Sequence, residues 1–379
     1  MAFSRRTRAT YWCMALQDRR RLLSTCTLCL LVYWLSKPDS SHHDNRHGII
    51  SRSSHGGLGF YLKSGLPAEF SPSLIWLMSW PLSGEEYIMT NVEHVSNLSP
   101  ASNYANSTTP KDQANSISIY PRHPEGPFWE GLGVEKRRPL PEKLVMTETH
   151  CAGTCIDCPP EKYLVNQLED FMLSCRTTNA KVDKTTYVSA KYPRNRVKKA
   201  VHVIRNPFIN IIARFYRERS NRKKDKDFQK EYPDLPIKGF QKWCRMLDSK
   251  YEKEDESAFK KVDPSMVKDM RSSLCHAEIY KYIQWHNMAF KTTETMKLPV
   301  HYVYYEDFQK DFKGTHHKLL DFLELKAVYT PYDFPVPHNY TRYFTPAHRA
   351  QIYSYAKKLA SETTWEYIHH YFFKNATLD

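Results

Sequence analysis

Two short stretches of the chain place a turn and charged side chains directly after an apolar run. The first run, residues 74–78, leads into a turn that contains Gly84 and then into a segment suited to a helix. A glycine-containing turn joined to a helix N-terminus presents backbone N–H groups and the positive end of the helix dipole to an anion. The second run, residues 200–204, ends at Arg205, whose planar guanidinium can bind phosphate oxygens in pairs. Both stretches therefore indicate chemistry with an anionic ligand.

The segments around these stretches alternate between strand and helix patterns. Continuous apolar runs predict strands near residues 74–78, 143–150, 200–204 and 300–305. The spacing i, i+3, i+4 and i+7 predicts a helix through Phe208, Ile211, Ile212 and Phe215. Further helices are expected near residues 85–95, 163–175, 240–247, 274–291, 315–323 and 346–360. This alternation predicts an α/β fold with an open, mostly parallel sheet flanked by helices.

Three stretches together resemble the sulfotransferase family, whose members transfer a sulfuryl group from 3'-phosphoadenosine-5'-phosphosulfate (PAPS) to a hydroxyl or amine. They are residues 79–87, residues 201–210, and residues 302–311 with the later 319–323. The resemblance implies a P-loop-like sulfotransferase fold, with PAPS as cosubstrate and no metal. In the last stretch we interpret Tyr305, Glu306 and Asp307 as structural residues that support the sheet edge and the nucleotide pocket.

The resemblance also implies a role for each candidate site residue. Arg205 matches the arginine that grips the 3'-phosphate, and His150 closes the strand that delivers the general base. A neutral imidazole with a pKa near its usual value of about 6.5 accepts a proton near neutral pH. His150 could instead be an ordinary loop histidine or a metal ligand beside Cys151. The loop expected to cradle the 5'-phosphosulfate comprises Pro81, Leu82, Ser83, Gly84, Glu85, Glu86 and Tyr87.

Several positions depart from the family pattern where the anion should bind. The family has a basic residue where this chain has Leu82, and serine or threonine where it has Glu85 and Glu86. A usually basic strand position holds Glu148, and a usual serine is Ala213. Two unit charges about 4 Å apart have an interaction energy of about 4 kcal/mol at an effective dielectric constant near 20. A carboxylate in the first helical turn could also fold back and occupy the anion site.

These departures leave alternative functions open. A catalytically impaired, sulfotransferase-like luminal binding protein would keep the fold and lose PAPS binding. A P-loop nucleotide kinase is less favoured, because residues 81–87 lack the lysine of the G-x4-G-K-[ST] loop.

The N-terminal residues have the pattern of a membrane anchor. Residues 1–21 form a basic leader that ends in three consecutive arginines, directly before the apolar run 22–35. Positive charge on this flank keeps the N-terminus cytosolic, so we expect a single-pass type II protein of the Golgi membrane with a luminal body. The run is shorter than the roughly 20 residues that span a bilayer, which leaves a cleaved signal peptide as the alternative. Residues 36–72 are expected to form an irregular stem, followed by a sulfotransferase-like domain at residues 73–379.

Two further patterns fit a luminal body. Four sequons predict N-glycosylation, at Asn97, Asn106, Asn339 and Asn375. An even number of cysteines after the anchor suits disulfide bonds in an oxidising compartment. These are Cys151, Cys155, Cys158, Cys175, Cys244 and Cys275. The cluster from His150 to Cys158, with Cys175, could alternatively hold zinc.

Charge and composition limit the classes of ligand and partner that we expect. A formal net charge of +14 suits an anionic ligand such as a nucleotide or a sulfated sugar, although a solvated basic surface would also account for it. Acids interrupt the basic cluster at residues 222–230, which we interpret as a mobile loop, so nucleic acid is not expected as a partner. We interpret residues 97–129 as a surface insertion. The acceptor is expected to be a luminal carbohydrate or glycoprotein, with protein tyrosine and lipid left open.

Overall fold

The computed structural model describes residues 72–104, 117–118, 138–152, 167–181, 187–234, 237–258, 264–335 and 340–372. All of these residues belong to one compact unit, Ser64–Asp379. The predicted leader and anchor, and the stem up to residue 71, lie outside the described residues. Within the described part of the chain, no helix is both long enough and apolar enough to cross a membrane.

Six parallel strands form the main sheet. In chain order the strands of the molecule are β1 (Ser73–Ser79), β2 (Ala101–Ser102), β3 (Ile117–Ser118), β4 (Leu144–Thr149), β5 (Thr177–Lys181), β6 (Tyr187–Lys191), β7 (Val197–Ile204) and β8 (Val300–Tyr304). The sheet order is β3-β2-β4-β1-β7-β8, and each neighbouring pair is parallel. β5 and β6 form a separate antiparallel pair. The predicted α/β fold with a mostly parallel sheet is confirmed.

Helices connect the strands and cover the sheet. They are α1 (Glu85–Ser96), α2 (Leu168–Cys175), α3 (Pro207–Asn221), α4 (Lys226–Glu231), α5 (Lys238–Ala258), α6 (Pro264–Arg271), α7 (His276–Thr295), α8 (Asp307–Lys310), α9 (Phe312–Leu323), α10 (Pro346–Leu359) and α11 (Glu362–Ile368). The start of α3 is specified locally, because the Asn206 side chain accepts hydrogen bonds from the N–H groups of Phe208 and Ile209. Pro207 occupies the first helical position, where its missing N–H has no intrahelical partner to lose.

Two sequence interpretations are corrected by the structure. The segment 97–129 is not only a surface insertion, because β2 and β3 add two strands to the main sheet and β2 is buried. The basic cluster 222–230 is not a loop throughout, because α4 begins within it at Lys226. Asp225 caps α4 by accepting from the N–H of Phe228, and the Phe228 ring is buried. A local cap and one buried ring thus stabilise a helix here despite the high charge of this segment.

The core lies on both faces of the central strand β1. Trp76 packs on one face with Phe208 and other residues of α3, whereas Leu77 packs on the opposite face with Ile88 of α1. Both β1 side chains are fully buried. This two-sided burial explains why β1 is a continuous apolar run rather than an alternating one.

The chain leaves β1 and β7 in opposite directions. After β1 the chain passes through α1 to strands on one side of the sheet, and after β7 it passes through α3 towards β8 on the other side. In open α/β sheets, a crevice forms outside the carboxyl ends of two such strands, and ligands bind in this crevice. The fold therefore predicts a site beside Ser79 and Ile204, the last residues of these two strands.

Within the described part of the chain, two disulfide bonds fasten helices to this framework. Cys151, just after β4, is bonded to Cys175 at the end of α2, and Cys244 of α5 is bonded to Cys275 just before α7. The disulfide prediction is confirmed for these four cysteines. The zinc alternative is wrong for Cys151 and Cys175, because their sulfur atoms are bonded to each other. Cys155 and Cys158 lie outside the described residues.

Candidate functional site

The β1–α1 loop, residues 80–84, is a tight turn that glycine completes. Gly84 has a φ of 104°, and a Cβ at this position would overlap the Tyr305 ring. Leu82 also has a positive φ, of 65°. Gly84 is the N-cap of α1, and no side chain caps the helix there. The loop and the helix N-terminus thus form the kind of backbone cradle that favours an anion.

Two neighbouring elements hold the β1–α1 loop in place. From α3, Asn210 Nδ2 donates to the Pro81 carbonyl at 3.0 Å and lies 3.3 Å from Ser83 Oγ. From the end of β7, Arg205 Nη1 donates to the Leu82 carbonyl at 2.6 Å. Arg205 and the loop, predicted from separate stretches of the sequence, are therefore in direct contact.

A cavity of about 400 Å³ opens where the loop and Arg205 meet. Its wall includes six of the predicted cofactor-binding residues, namely Leu82, Gly84, Glu85, Glu86, Tyr87 and Arg205. The described wall does not include Pro81 or Ser83, which instead contact Asn210. Ala213 lines the cavity at the position where the family has a serine.

Sequence reasoning missed another part of this wall. Tyr332, Asp333 and Pro335 line the cavity from the segment that follows α9. The Tyr332 N–H donates to Asn91 Oδ1 at 2.7 Å, which fastens this segment to α1. No motif surrounds these residues, so only the fold shows their position.

Arg205 is held rigidly at the cavity. Its guanidinium carbon lies 4.6 Å from the centroid of the Tyr305 ring, and the Tyr282 hydroxyl donates to its backbone carbonyl at 2.7 Å. Arg205 Nε has no hydrogen-bond partner among the described residues. Because a guanidinium carries five N–H groups, the contact with Leu82 leaves donors for a ligand.

The glutamates of α1 bring negative charge to the same cavity. Glu85 folds back onto the β1–α1 loop, where its Oε1 accepts from the Leu82 N–H at 2.9 Å. This geometry is the fold-back that the sequence allowed for a first-turn carboxylate. Burial raises the pKa of Glu86, Arg217 opposes that shift, and Glu85 and Glu148 add to it. An anion in the cavity therefore meets an arginine on one side and carboxylates on the other.

His150 lies at the end of β4, behind the β1–α1 loop. Its Nδ1 is 3.1 Å from the Ser79 carbonyl oxygen, and its Nε2 is 3.5 Å from Glu148 Oε1. The ring stacks on Tyr104, and Trp285 Nε1 donates to the His150 carbonyl at 2.8 Å. His150 is not part of the described cavity wall. It approaches the cavity through Glu85, which does line it.

Among the residues that the structure describes, Glu85, Glu148 and His150 form a group of side chains that could hold a metal ion. One potential ligand atom from each lies within 4.8 Å of the other two. The three residues come from α1, from β4 and from the residue after β4. They meet because β1 and β4 are parallel neighbours whose carboxyl ends coincide.

The residues after β8 have a structural role. Glu306 Oε1 accepts from the Asn206 N–H at 2.9 Å, and Glu306 Oε2 accepts from the Tyr371 hydroxyl at 2.7 Å. Burial raises the pKa of Glu306, while these hydrogen bonds oppose the shift. Glu306 thus supports the turn after β7 that carries Arg205.

Arg214 does not supply the missing cation of the loop. Its Nη1 lies 2.5 Å from Glu278 Oε2, and its guanidinium packs against Trp80. Lys281 Nζ lies 2.8 Å from the other oxygen of Glu278. This buried network contacts the loop at Trp80, and its three charged residues are not part of the described cavity wall.

Comparisons with known proteins add little to this geometry. No protein-family model matches the chain, and no curated protein matches its sequence. Among solved structures, the chain is similar to a crystal structure of mouse sulfotransferase SULT7A1 complexed with PAP. The identity is 14%, the match covers 78% of this chain and 70% of that chain, and the TM-score is 0.26. A likeness at this TM-score carries no argument, so the family resemblance stays a prediction of the sequence.

Proposed function

We propose that the chain binds PAPS in the cavity between the β1–α1 loop and Arg205 and transfers its sulfuryl group to a hydroxyl acceptor. The observation that carries this proposal is the contact between Arg205 and the Leu82 carbonyl. It brings a phosphate-binding side chain and a helix N-terminus to one cavity at the carboxyl ends of β1 and β7. Each is an anion-binding device in its own right, and together they fit a ligand with two anionic groups.

In this proposal the two anionic ends of PAPS occupy different parts of the cavity. The 5'-phosphosulfate lies at the β1–α1 loop and the first turn of α1, and the 3'-phosphate lies at Arg205. Arg205 Nε and the guanidinium N–H groups that Leu82 does not use supply donors in a fixed plane, which a lysine ammonium cannot reproduce.

His150 is the proposed general base. His150 Nδ1 lies beside both the carbonyl oxygen and the Oγ atom of Ser79; in the tautomer whose Nδ1–H donates to the carbonyl, the Nε2 lone pair is available to take the acceptor's proton. Glu148 Oε1, 3.5 Å from Nε2, would then stabilise the imidazolium. A sulfuryl acceptor must reach Nε2 past Glu85 for this role to operate.

The alternative is a binding protein without transferase activity. It is favoured by the hydrogen bond between Glu85 Oε1 and the Leu82 N–H, because a carboxylate already occupies a donor that the phosphosulfate would use. Glu86 adds a second acid to the wall. This function predicts that nucleotide binding is weak or lost.

Calorimetric titration of the full-length chain with PAPS and with adenosine 3',5'-bisphosphate (PAP) tests both functions. Binding of both nucleotides, together with formation of a sulfated acceptor and release of PAP when PAPS and hydroxyl acceptors are supplied, supports the transferase. Weak binding without transfer to any acceptor class, or no binding with or without added divalent metal, rejects the transferase and supports the binding protein. Tight binding of both nucleotides without transfer to any acceptor class would reject both functions.

We also propose that the acceptor is a carbohydrate or glycoconjugate of the secretory pathway and that the body faces the Golgi lumen. Asn97 is exposed at the carboxyl end of α1, as a glycosylated asparagine must be. Asn106, Asn339 and Asn375 lie outside the described residues. Expression in a secretory host should give a protein whose gel mobility shifts on glycosidase treatment and that loses part of the shift in Asn97→Gln. An unshifted protein with freely reacting thiols at all six downstream cysteines would reject the luminal topology.

A further inference from the structure

We propose that Glu85, Glu148 and His150 bind a divalent metal ion behind the β1–α1 loop. Their potential ligand atoms lie within 4.8 Å of one another, close enough for a single ion to contact all three. The set combines two carboxylates with one imidazole, and it does not depend on any nucleotide being bound.

Each proposed ligand is oriented by a second partner, as is usual around metal ions. His150 Nδ1 lies 3.1 Å from the Ser79 carbonyl oxygen and 3.2 Å from Ser79 Oγ, which fixes the ring with its Nε2 towards Glu148. Glu148 Oε2 accepts from Ser102 Oγ at 2.6 Å, and its Oε1 faces His150 Nε2 at 3.5 Å. In each case one atom of the side chain is fixed and the other is turned towards the cluster.

An unpartnered oxygen in the cluster points independently to a ligand. Glu85 is 7% exposed, and its Oε1 accepts from the Leu82 N–H. Its Oε2 is buried and has no hydrogen-bond partner among the described residues. A buried carboxylate oxygen without a partner is costly, and a cation shared with Glu148 and His150 would satisfy it.

The donor set selects the class of metal. Imidazole suits Zn²⁺ and other first-row transition ions, and carboxylates suit Mn²⁺ as well. Calcium takes six to eight oxygen ligands, which three side chains including an imidazole do not provide. Three protein ligands leave coordination positions open, as in metal sites that also bind water or substrate. The expected ligand is therefore a divalent transition ion, Mn²⁺ or Zn²⁺.

A bound ion would change the net charge that an anion meets at the cavity. Two unit negative charges from Glu85 and Glu148 would be balanced by the charge of the ion, directly beside the cavity that Glu85 lines. This consequence, unlike metal binding itself, rests on the proposed PAPS function. Coordination of Nε2 would also remove His150 as a general base, so metal-loaded protein should not depend on a free His150 imidazole.

Titration of the chelator-treated, full-length chain with Mn²⁺, followed by calorimetry and electron paramagnetic resonance, tests the site without nucleotide. Mn²⁺ is the main ion because the 17 histidines and the remaining cysteines could bind Zn²⁺ elsewhere. We expect one Mn²⁺ per chain and a melting temperature that rises with the Mn²⁺ concentration. A chain that takes up no Mn²⁺ or Zn²⁺ beyond what Glu148→Gln binds would overturn the proposal.

Matched glutamate variants make the test specific. Glu148→Gln should weaken Mn²⁺ binding by more than the roughly 10- to 100-fold that loss of an outer partner costs. Glu93→Gln is the control, because Glu93 is also buried and its Oε1 also lacks a hydrogen-bond partner among the described residues, but it is not in the cluster. Equal affinity in the two variants would overturn the proposal.

Ser102→Ala keeps the test valid if Glu148→Gln fails to fold. This variant retains all three ligands and removes only the hydrogen bond to Glu148 Oε2. We expect about 10-fold weaker Mn²⁺ binding with an unchanged stoichiometry. Unchanged affinity would contradict the orientation of Glu148 on which the site depends. Failure of PAP binding together with intact Mn²⁺ binding would reject the proposed function and leave the metal site standing.

Discussion

Two groups of side chains at the strand ends near the cavity differ in charge. The end of β7 presents Arg205, stacked on Tyr305 and bonded to the loop. The ends of β1 and β4 present Glu85, Glu148 and His150, gathered around a point behind the same loop. The fold thus sets where ligands bind, whereas the side chains at each strand end set which charge is bound. One end is suited to a phosphate, and the other is suited to a cation.

Of the changes considered, removing the arginine should have the largest effect on PAP binding. Arg205→Ala is expected to weaken PAP binding by about 2 to 4 kcal/mol, because a charge-assisted, paired contact to phosphate is lost. Arg205→Lys should recover only part of this loss. Calorimetry measures both, with Arg222→Ala as the control, since Arg222 is exposed and pairs with Asp225. An unchanged PAP affinity in Arg205→Ala would show that this strand end does not bind the phosphate.

Distorting the loop should have the next largest effect. Gly84→Ala forces a side chain into a left-handed conformation and against Tyr305, so we expect a loss of about 1 to 3 kcal/mol in the free energy of unfolding. Urea denaturation measures the loss. Gly314→Ala is the control, because Gly314 has no positive φ and a Cβ there meets the exposed Asp311 side chain, so that we expect a smaller loss, from the cap that Asp311 provides. Equal stability of the two variants would contradict the described geometry of the β1–α1 loop.

The acids of α1 should act in opposite directions with and without metal. In metal-free protein, Glu85→Thr with Glu86→Thr should strengthen PAP binding by about 1 to 3 kcal/mol, through relief of partly screened repulsion. The triple change with Leu82→Lys should create measurable binding if the wild type has none. With Mn²⁺ present, Glu85→Thr alone should weaken PAP binding, because it removes a proposed ligand. A change in PAP affinity on Glu85→Thr alone that has the same direction with and without Mn²⁺ would contradict the metal site.

A smaller effect is expected from the pH dependence of Glu86. Because burial raises the pKa of Glu86, the side chain takes up a proton at a higher pH than an exposed glutamate and then no longer repels an anion. Glu86→Gln should therefore strengthen PAP binding by about 1 kcal/mol at neutral pH, and the gain should shrink as the pH falls. Comparing the two proteins cancels the titration of PAP itself. A gain that grows at low pH would contradict this charge assignment.

Patterns in the sequence predicted the sheet and selected the loop and the arginine that the structure brings into contact, but not the other contacts around them. The apolar runs of β1 and β7 and the turn at Gly84 could be predicted, because burial on two faces and a left-handed residue leave clear local signals. The grouping of Glu85 with Glu148 and His150 could not, because it depends on the alignment of parallel strands distant in sequence. Asn210 was missed for a related reason, since an asparagine within a helix gives no sign that it contacts the loop.

The affinity of the full-length chain for PAP, measured with and without Mn²⁺, tests both phosphate binding at Arg205 and metal binding at the cluster that contains Glu148. The account predicts that PAP binds and that Mn²⁺ tightens binding by about 1 kcal/mol or more, as expected when two nearby acids are neutralised. It also predicts that this gain disappears in Glu148→Gln and that binding itself is largely lost in Arg205→Ala. PAP binding that is indifferent to both Mn²⁺ and Arg205 would contradict the account.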